Sequence, residues 1–180
     1  MKHLPFDKIR CCKCGCEIVF LPGHIPVCPT CKSAGRNYDC AVSAAYYTGN
    51  VRNAILKYKF SYQSYMAEHL SYFLINILKE LNINSSNIDF IAFVPCGKYQ
   101  KRRRGFENAG LLAEAVSKRL KIPYCDHVIE KIKTTKTQST LPLNKRAENI
   151  RGAFKVTDKK YVKGKRILLI DDIFTTGATV

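Results

Sequence analysis

The stretch from Arg166 to Val180, R-I-L-L-I-D-D-I-F-T-T-G-A-T-V, decides how the rest of the chain is read. Arg166 to Ile170 is a short apolar run of the length of a buried parallel strand. It stops on two adjacent carboxylates, Asp171 and Asp172, and a turn of small residues follows: Thr175, Thr176, Gly177, Ala178 and Thr179. Backbone N–H groups and hydroxyls in such a turn can wrap a phosphate monoester, helped by the positive end of a following helix. Gly177 lacks a Cβ, so the chain can come close to an anion there. The two acids suit the hydroxyls of a sugar or a bridging divalent metal. No Gly-Lys-Ser/Thr accompanies the turn, which excludes a Walker A loop.

Upstream, Ile88 to Val94 (I-D-F-I-A-F-V) reads as a second buried strand that Pro95 ends. Cys96-Gly97-Lys98 is expected to turn, and the basic run Lys101, Arg102, Arg103, Arg104 follows as part of the same loop. Ligands of open α/β sheets sit at the carboxyl ends of strands, so this loop and the Asp171–Thr179 loop are expected to face one crevice. The basic run has three readings: support for a phosphate ligand, a track for a nucleic-acid backbone, or a solvated charge run.

The chain has 180 residues, room for one medium domain and a small appendage, and a formal charge of +16, which points to a polyanionic partner. Met1 to Arg10 has no apolar core of a signal peptide, and no apolar run is long enough to span a bilayer, so a cytoplasmic protein without membrane insertion is expected. Nine cysteines in that setting point to metal rather than to disulfides. Cys11-Cys12-Lys13-Cys14-Gly15 and Cys28-Pro29-Thr30-Cys31 are two C-x-x-C turns, which predict four thiolates, Cys11, Cys14, Cys28 and Cys31, on one structural Zn²⁺. Cys12 and Cys16 offer an overlapping register, and Cys40 and His24 are spare donors.

Between these landmarks, Cys40 to Tyr47 reads as a strand, Val51 to Tyr58 as a short helix with Ile55 and Leu56 inward, and Gln63 to Leu81 as an amphipathic helix. Lys57, Tyr58 and Lys59 are either a helix end with cations at its negative terminus or a direct anion contact. A helix is expected over Glu107 to Leu120, an irregular polar segment over Lys131 to Ile150, a strand over Gly152 to Thr157 and a basic turn over Lys159 to Lys165.

The segment L-L-I-D-D-I-F-T-T-G-A-T-V resembles the phosphoribosyl-pyrophosphate (PRPP) loop of type I phosphoribosyltransferases. Y-Y-T-G-N-V-R-N-A-I-L-K-Y-K-F, V-P-C-G-K-Y-Q-K-R-R-R-G-F-E-N-A-G-L-L-A, and the pattern of Thr135, Gln138, Arg146, Asn149, Ala153 and Phe154 are similar to the ComF family, competence-associated phosphoribosyltransferase-like proteins. Glu107-Asn108 departs from that family's usual Asn-Gln.

The resemblance implies an α/β fold: a type I phosphoribosyltransferase-like parallel sheet over residues 41–180 with a zinc knuckle over residues 1–40. A further helix and strands are expected after the loop, so the domain would be C-terminally truncated at Val180. By the same resemblance Asp171 and Asp172 would be catalytic. Thr175, Thr176, Gly177, Ala178 and Thr179 would hold PRPP, with Pro95, Cys96, Gly97 and Lys98 on pyrophosphate and Arg102 and Arg104 in support. Mg²⁺ would ride on the diphosphate, and the segment from Lys131 would close over the ligand. The implied role is DNA uptake in competence, with single-stranded DNA and competence machinery proteins as partners. Two alternatives stand beside it: a working phosphoribosyltransferase that displaces pyrophosphate with a nitrogen nucleophile, and a zinc-dependent nucleic-acid-binding module with an inert loop.

Overall fold

The computed structural model describes residues 10–18, 26–33, 37–61, 63–135 and 141–174. Its centre is a pair of parallel strands, β1 (Phe90–Phe93) and β4 (Ile167–Ile170), with Phe90 opposite Ile167 and Phe93 opposite Ile170. On its other side β1 meets Tyr124 in a parallel bridge, where Ile91 N donates to Pro123 O at 2.7 Å and Cys125 N to Ile91 O at 2.9 Å. All four residues of β1 are buried, which is why F-I-A-F is apolar without alternation: both faces of the strand are covered.

Helix α5 (Asn108–Leu120) carries the chain from the end of β1 back to Tyr124 and packs beside α3 (Met66–Glu80). Their apolar stripes, with Ile75, Leu78, Leu112, Ala113 and Val116, close over Ile91, Phe93 and Ile170. The opposite face holds Phe90, Ala92, Cys125 and Val128, with Leu169 and Val162 against them. Gly110 lets α5 approach β1, because a Cβ there would lie 3.0 Å from the Glu107 Cβ and 3.3 Å from the Phe93 ring.

Around this core stand α1 (Pro29–Ser33), α2 (Gly49–Phe60), α4 (Lys98–Arg104), α6 (Leu143–Ile150) and α7 (Lys159–Val162). An antiparallel pair, β2 (Ile129–Lys131) with β3 (Phe154–Val156), completes the elements. Asp158 caps α7 through its carboxylate, which accepts from Lys160 N at 2.8 Å and Tyr161 N at 3.0 Å. The architecture is the expected α/β class with a parallel sheet. No helix among the described residues is long and apolar enough to cross a membrane.

Four local expectations are corrected. Cys40 to Tyr47 forms no strand; Ala41 N donates instead to Lys13 O at 2.7 Å, and Val42 and Ala44 pack on the core. Small side chains in this stretch give a strand little to pack with. The basic run is a helix, α4, which ends at Gly105 with a left-handed φ of +79°. Lys, Gln and Arg are good helix formers, and that propensity outweighs the clustering of like charge. Residues Leu143–Ile150 of the segment expected to be irregular form α6 behind Pro142. The expected basic turn after Asp158 contains the single helical turn α7.

Candidate functional site

The carboxyl ends of β1 and β4 are held in step by Val94 N, which donates to Ile170 O at 3.0 Å. Pro95 and Asp171 therefore leave the sheet side by side. Asp172 N donates to Asp171 Oδ1 at 2.8 Å. Burial, joined by the neighbouring Asp172 carboxylate, pushes the Asp171 carboxyl up to about 8. Thr175 to Thr179, expected to hold phosphate, lie outside the described residues.

The cation of this site comes from far upstream. Lys59 Nζ lies 2.8 Å from Asp172 Oδ1, with the two side chains only 20% and 14% exposed. Lys59 is in the last turn of α2, and the residue before it is locked in place. Tyr58 is fully buried; its OH donates to Asn108 O at 2.6 Å, and Asn108 Nδ2 donates back to Tyr58 O at 3.0 Å. Burial pushes the Tyr58 phenol upward, and the negative charge of Asp172 adds to the shift. Asn108 Oδ1 in turn accepts from Arg104 at 2.9 Å, and the Arg104 guanidinium sits 5.3 Å from the centre of the Phe60 ring.

The segment expected to meet pyrophosphate already holds an anion of the protein's own. Cys96 N donates to Glu107 Oε2 at 2.9 Å, and Lys101 Nζ stands 3.9 Å from Glu107 Oε1. Burial, with Glu107 alongside, pushes the Cys96 thiol up to about 12. Lys98 and Arg102 are exposed, Lys98 lying 3.8 Å from Glu130, whereas Arg104 turns inward to Asn108.

The cysteines gather behind the acid pair. The sulfurs of Cys11, Cys14, Cys16 and Cys28 all lie within 4.8 Å of one another. Cys31 adjoins them: its backbone N–H donates to Cys28 Sγ at 3.4 Å, and its thiol works to lower those of Cys14 and Cys28. The 3.7 Å between Cys14 Sγ and Cys28 Sγ matches the edge of a tetrahedron with Zn–S bonds of about 2.3 Å, roughly 3.8 Å. Burial works to raise Cys11, but the backbone N–H groups of Cys28, Cys14 and Lys13 outweigh it and bring the thiol down to about 6. Burial likewise opposes ionisation of Cys28, and the Cys31 N–H with the surrounding thiols pulls it below its ordinary range. Thiolate character built from N–H···S bonds is what a structural metal knuckle needs, so the donor set fits a metal ion.

Residues 107–180 match the family model of the phosphoribosyl transferase domain. Over 183 residues the chain is 28% identical to Competence protein F of Haemophilus influenzae, covering 100% of this chain and 77% of that protein. Over 176 residues it is 30% identical to the DNA utilization protein YhgH of Escherichia coli O157:H7, covering 97% of this chain and 75% of that protein. The chain belongs to the ComF family. Competence protein ComFC of Bacillus subtilis is similar too, 28% identical over 195 residues that cover 98% of this chain and 76% of that protein. No solved structure matches.

Within this ComF chain the transferase-domain match takes in the acid pair, α5 and Glu107. The knuckle cysteines, Lys59 and β1 lie upstream of it, in the part covered only by the longer similarities. A largely apolar cleft of about 520 Å³ runs between the cysteine knuckle and the acid pair, walled by Cys14, Cys16, Tyr46, Leu74, Asp172 and Phe174. Phe174, two residues past the acid pair, meets the Tyr38 ring edge-on at 6.5 Å. Neither the cleft nor the Lys59–Asp172 pair could be read along the sequence, because their parts come from separated segments. The one available signal for Lys59 was its place at the end of K-Y-K-F, where a direct anion contact was one of two readings.

Proposed function

We propose that this ComF-family chain binds PRPP or a related sugar phosphate in the crevice between the ends of β1 and β4. In this reading Asp171 and Asp172 accept the ribose hydroxyls and Thr175 to Thr179 wrap the 5′-phosphate. Pro95 to Lys98 meet the diphosphate, Arg102 and Arg104 add positive field, and Mg²⁺ accompanies the ligand. Cys11, Cys14, Cys28 and Cys31, with Cys16 as an alternative donor, hold a structural Zn²⁺ that would fasten the knuckle beside the crevice. The observation that carries the reading is the bond from Val94 N to Ile170 O, which brings the two loops out of the sheet together.

Sugar-phosphate binding would serve DNA uptake in the cytoplasm, in line with relatives named for competence and DNA utilization. Single-stranded DNA would lie along α4, where Lys101, Arg102 and Arg103 are exposed beside Tyr99, itself 73% exposed and open to base stacking. Competence machinery proteins would be the further partners.

Calorimetric titration of the protein with Mg²⁺–PRPP tests the site. Binding is expected, and the Asp171→Asn, Asp172→Asn double variant should weaken it by about tenfold or more. Unchanged affinity in that variant, or no binding in the parent, rejects the reading. Fluorescence anisotropy tests the DNA arm: single strands should bind more tightly than duplex, with a steep loss of affinity as salt rises.

A further inference from the structure

Lys59 is an unusual companion for an acid pair expected to face a sugar. Its ammonium group is 2.8 Å from Asp172 Oδ1, mostly shielded from water. A lysine at a helix end is ordinarily satisfied by solvent and by the terminal carbonyls. Here the last turn of α2 is pinned by the two Tyr58–Asn108 hydrogen bonds, and that pinning aims the next side chain at the acid pair. The contact joins three separate parts of the chain: α2, the start of α5 and the end of β4. Arg104 is drawn into the same arrangement through Asn108 Oδ1.

We propose that Lys59 is the resident counter-ion of the acid pair, a positioning residue that keeps divalent metal off Asp172 and makes the crevice receptive to an anionic phosphosugar. The proposal rests on the sugar-phosphate reading for its ligand and on the ion pair for its mechanism. Two adjacent carboxylates without a counter-charge would repel a polyphosphate and attract a divalent cation. With Lys59 on Oδ1, that oxygen is fixed and the charge of Asp172 is balanced, while its other oxygen remains an acceptor. A carboxylate so held can accept a hydroxyl hydrogen without competing for the metal that travels with the diphosphate. Lys59 also adds positive charge beside the polyanion.

The test compares the parent chain with Lys59→Met and Lys59→Arg in two measurements at pH 8. The first is Mn²⁺ binding followed by electron paramagnetic resonance, with no phosphosugar present. Lys59→Met should bind Mn²⁺ about tenfold more tightly than the parent, and Lys59→Arg should match the parent. Adding Asp172→Asn to Lys59→Met should remove the gain. The second is calorimetric titration with PRPP in buffer free of added divalent metal and of chelator, then with Mg²⁺. Lys59→Met should lose about tenfold in affinity without divalent metal and less when Mg²⁺ is supplied, and Lys59→Arg should stay within about threefold of the parent.

Equal Mn²⁺ affinity in the parent and Lys59→Met overturns the proposal. So does a loss of PRPP affinity that Lys59→Arg shares in full, which would mean that the lysine only supports the fold. Should Lys59→Met not fold, Lys59→Gln, whose amide can still donate to Asp172, carries the same comparison. If the parent binds no PRPP while the Mn²⁺ pattern holds, the sugar-phosphate reading fails and the counter-ion role stands.

Discussion

Tyr58 and Asn108 are bonded to each other twice, the Tyr58 hydroxyl donating to Asn108 O at 2.6 Å and Asn108 Nδ2 donating to Tyr58 O at 3.0 Å. Both residues are almost fully buried, so neither bond can be replaced by water without opening the core. The pair ties the C-terminal turn of α2, where carbonyls lack helical partners, to the first turn of α5. Tyr58→Phe should cost about 1–2 kcal/mol, and Asn108→Ala about 2–3 kcal/mol because the Arg104 contact goes with it. The double variant should lose less than the two single losses combined, by about 1 kcal/mol. Urea denaturation measures all three, and strict additivity would contradict the lock.

Asp171 gives a prediction in pH. Its carboxyl is held up to about 8, mainly by burial and then by Asp172, well above an unfolded-chain aspartate near 3.8. An acid with a raised folded value costs no stability below the unfolded value, where both states are protonated. The cost grows as pH rises between the two values and is complete above the folded one. Asp171→Asn removes the ionisable group, so it should leave the melting temperature nearly unchanged at pH 4 and raise it by about 5 °C or more at pH 8. The same variant should weaken PRPP binding, so stability and function would part at this residue. A melting temperature that falls at pH 8 would refute the assignment.

The knuckle holds one sulfur more than a tetrahedral ion can use, since Cys31 adjoins the cluster of Cys11, Cys14, Cys16 and Cys28. Cys16→Ser and Cys31→Ser should therefore each retain about one equivalent of zinc after dialysis, with four sulfurs still in reach. The Cys16→Ser, Cys31→Ser double variant should lose the metal. Cys11→Ser should lose it alone, because its sulfur accepts the Cys28 N–H at 3.3 Å and is the buried anchor of the knuckle. Elemental analysis of the dialysed variants checks this. A single Cys16→Ser or Cys31→Ser variant that is already metal-free would fix the register and end the redundancy.

How much of this could be read beforehand depends on the distance over which each feature is encoded. F-I-A-F and I-L-L-I announce buried parallel strands within a few residues, because covering both faces demands an unbroken apolar run. The acid pair and the C-x-x-C turns are equally local. The basic run misled because its charge suggested a loop, although Lys98 to Arg104 contains only residues that tolerate a helix and Gly105 stands ready to end it. Cys40 to Tyr47 misled in the opposite sense, its small apolar residues imitating a strand although the stretch joins no sheet among the described residues. Lys59 and Asp172 meet only after α2, α5 and β4 have packed, so no window of sequence contains the pair. The place of Asn108 in the core likewise emerges only from packing against Tyr58.

Glu107 yields the last prediction, because it seats a carboxylate in the loop expected to meet pyrophosphate. Its carboxylate accepts the Cys96 N–H at 2.9 Å and lies 3.9 Å from Lys101, with the side chain only 13% exposed. If Pro95 to Lys98 hold the diphosphate, Glu107 is an internal anion already seated on one of the amides that the ligand would use, with Lys101 beside it. Glu107→Gln keeps an oxygen for the Cys96 N–H and removes the charge, so the fold should persist while pyrophosphate binds about threefold to tenfold more tightly. The Cys96 thiol, raised chiefly by burial and further by Glu107, should also ionise more readily, and its alkylation at pH 8 should quicken. The two readouts separate the possible roles of this side chain. Faster alkylation with unchanged pyrophosphate affinity would make Glu107 a neighbour of the thiol and no competitor for the anion, and weaker pyrophosphate binding in Glu107→Gln would mean that the carboxylate shapes the loop rather than blocks it.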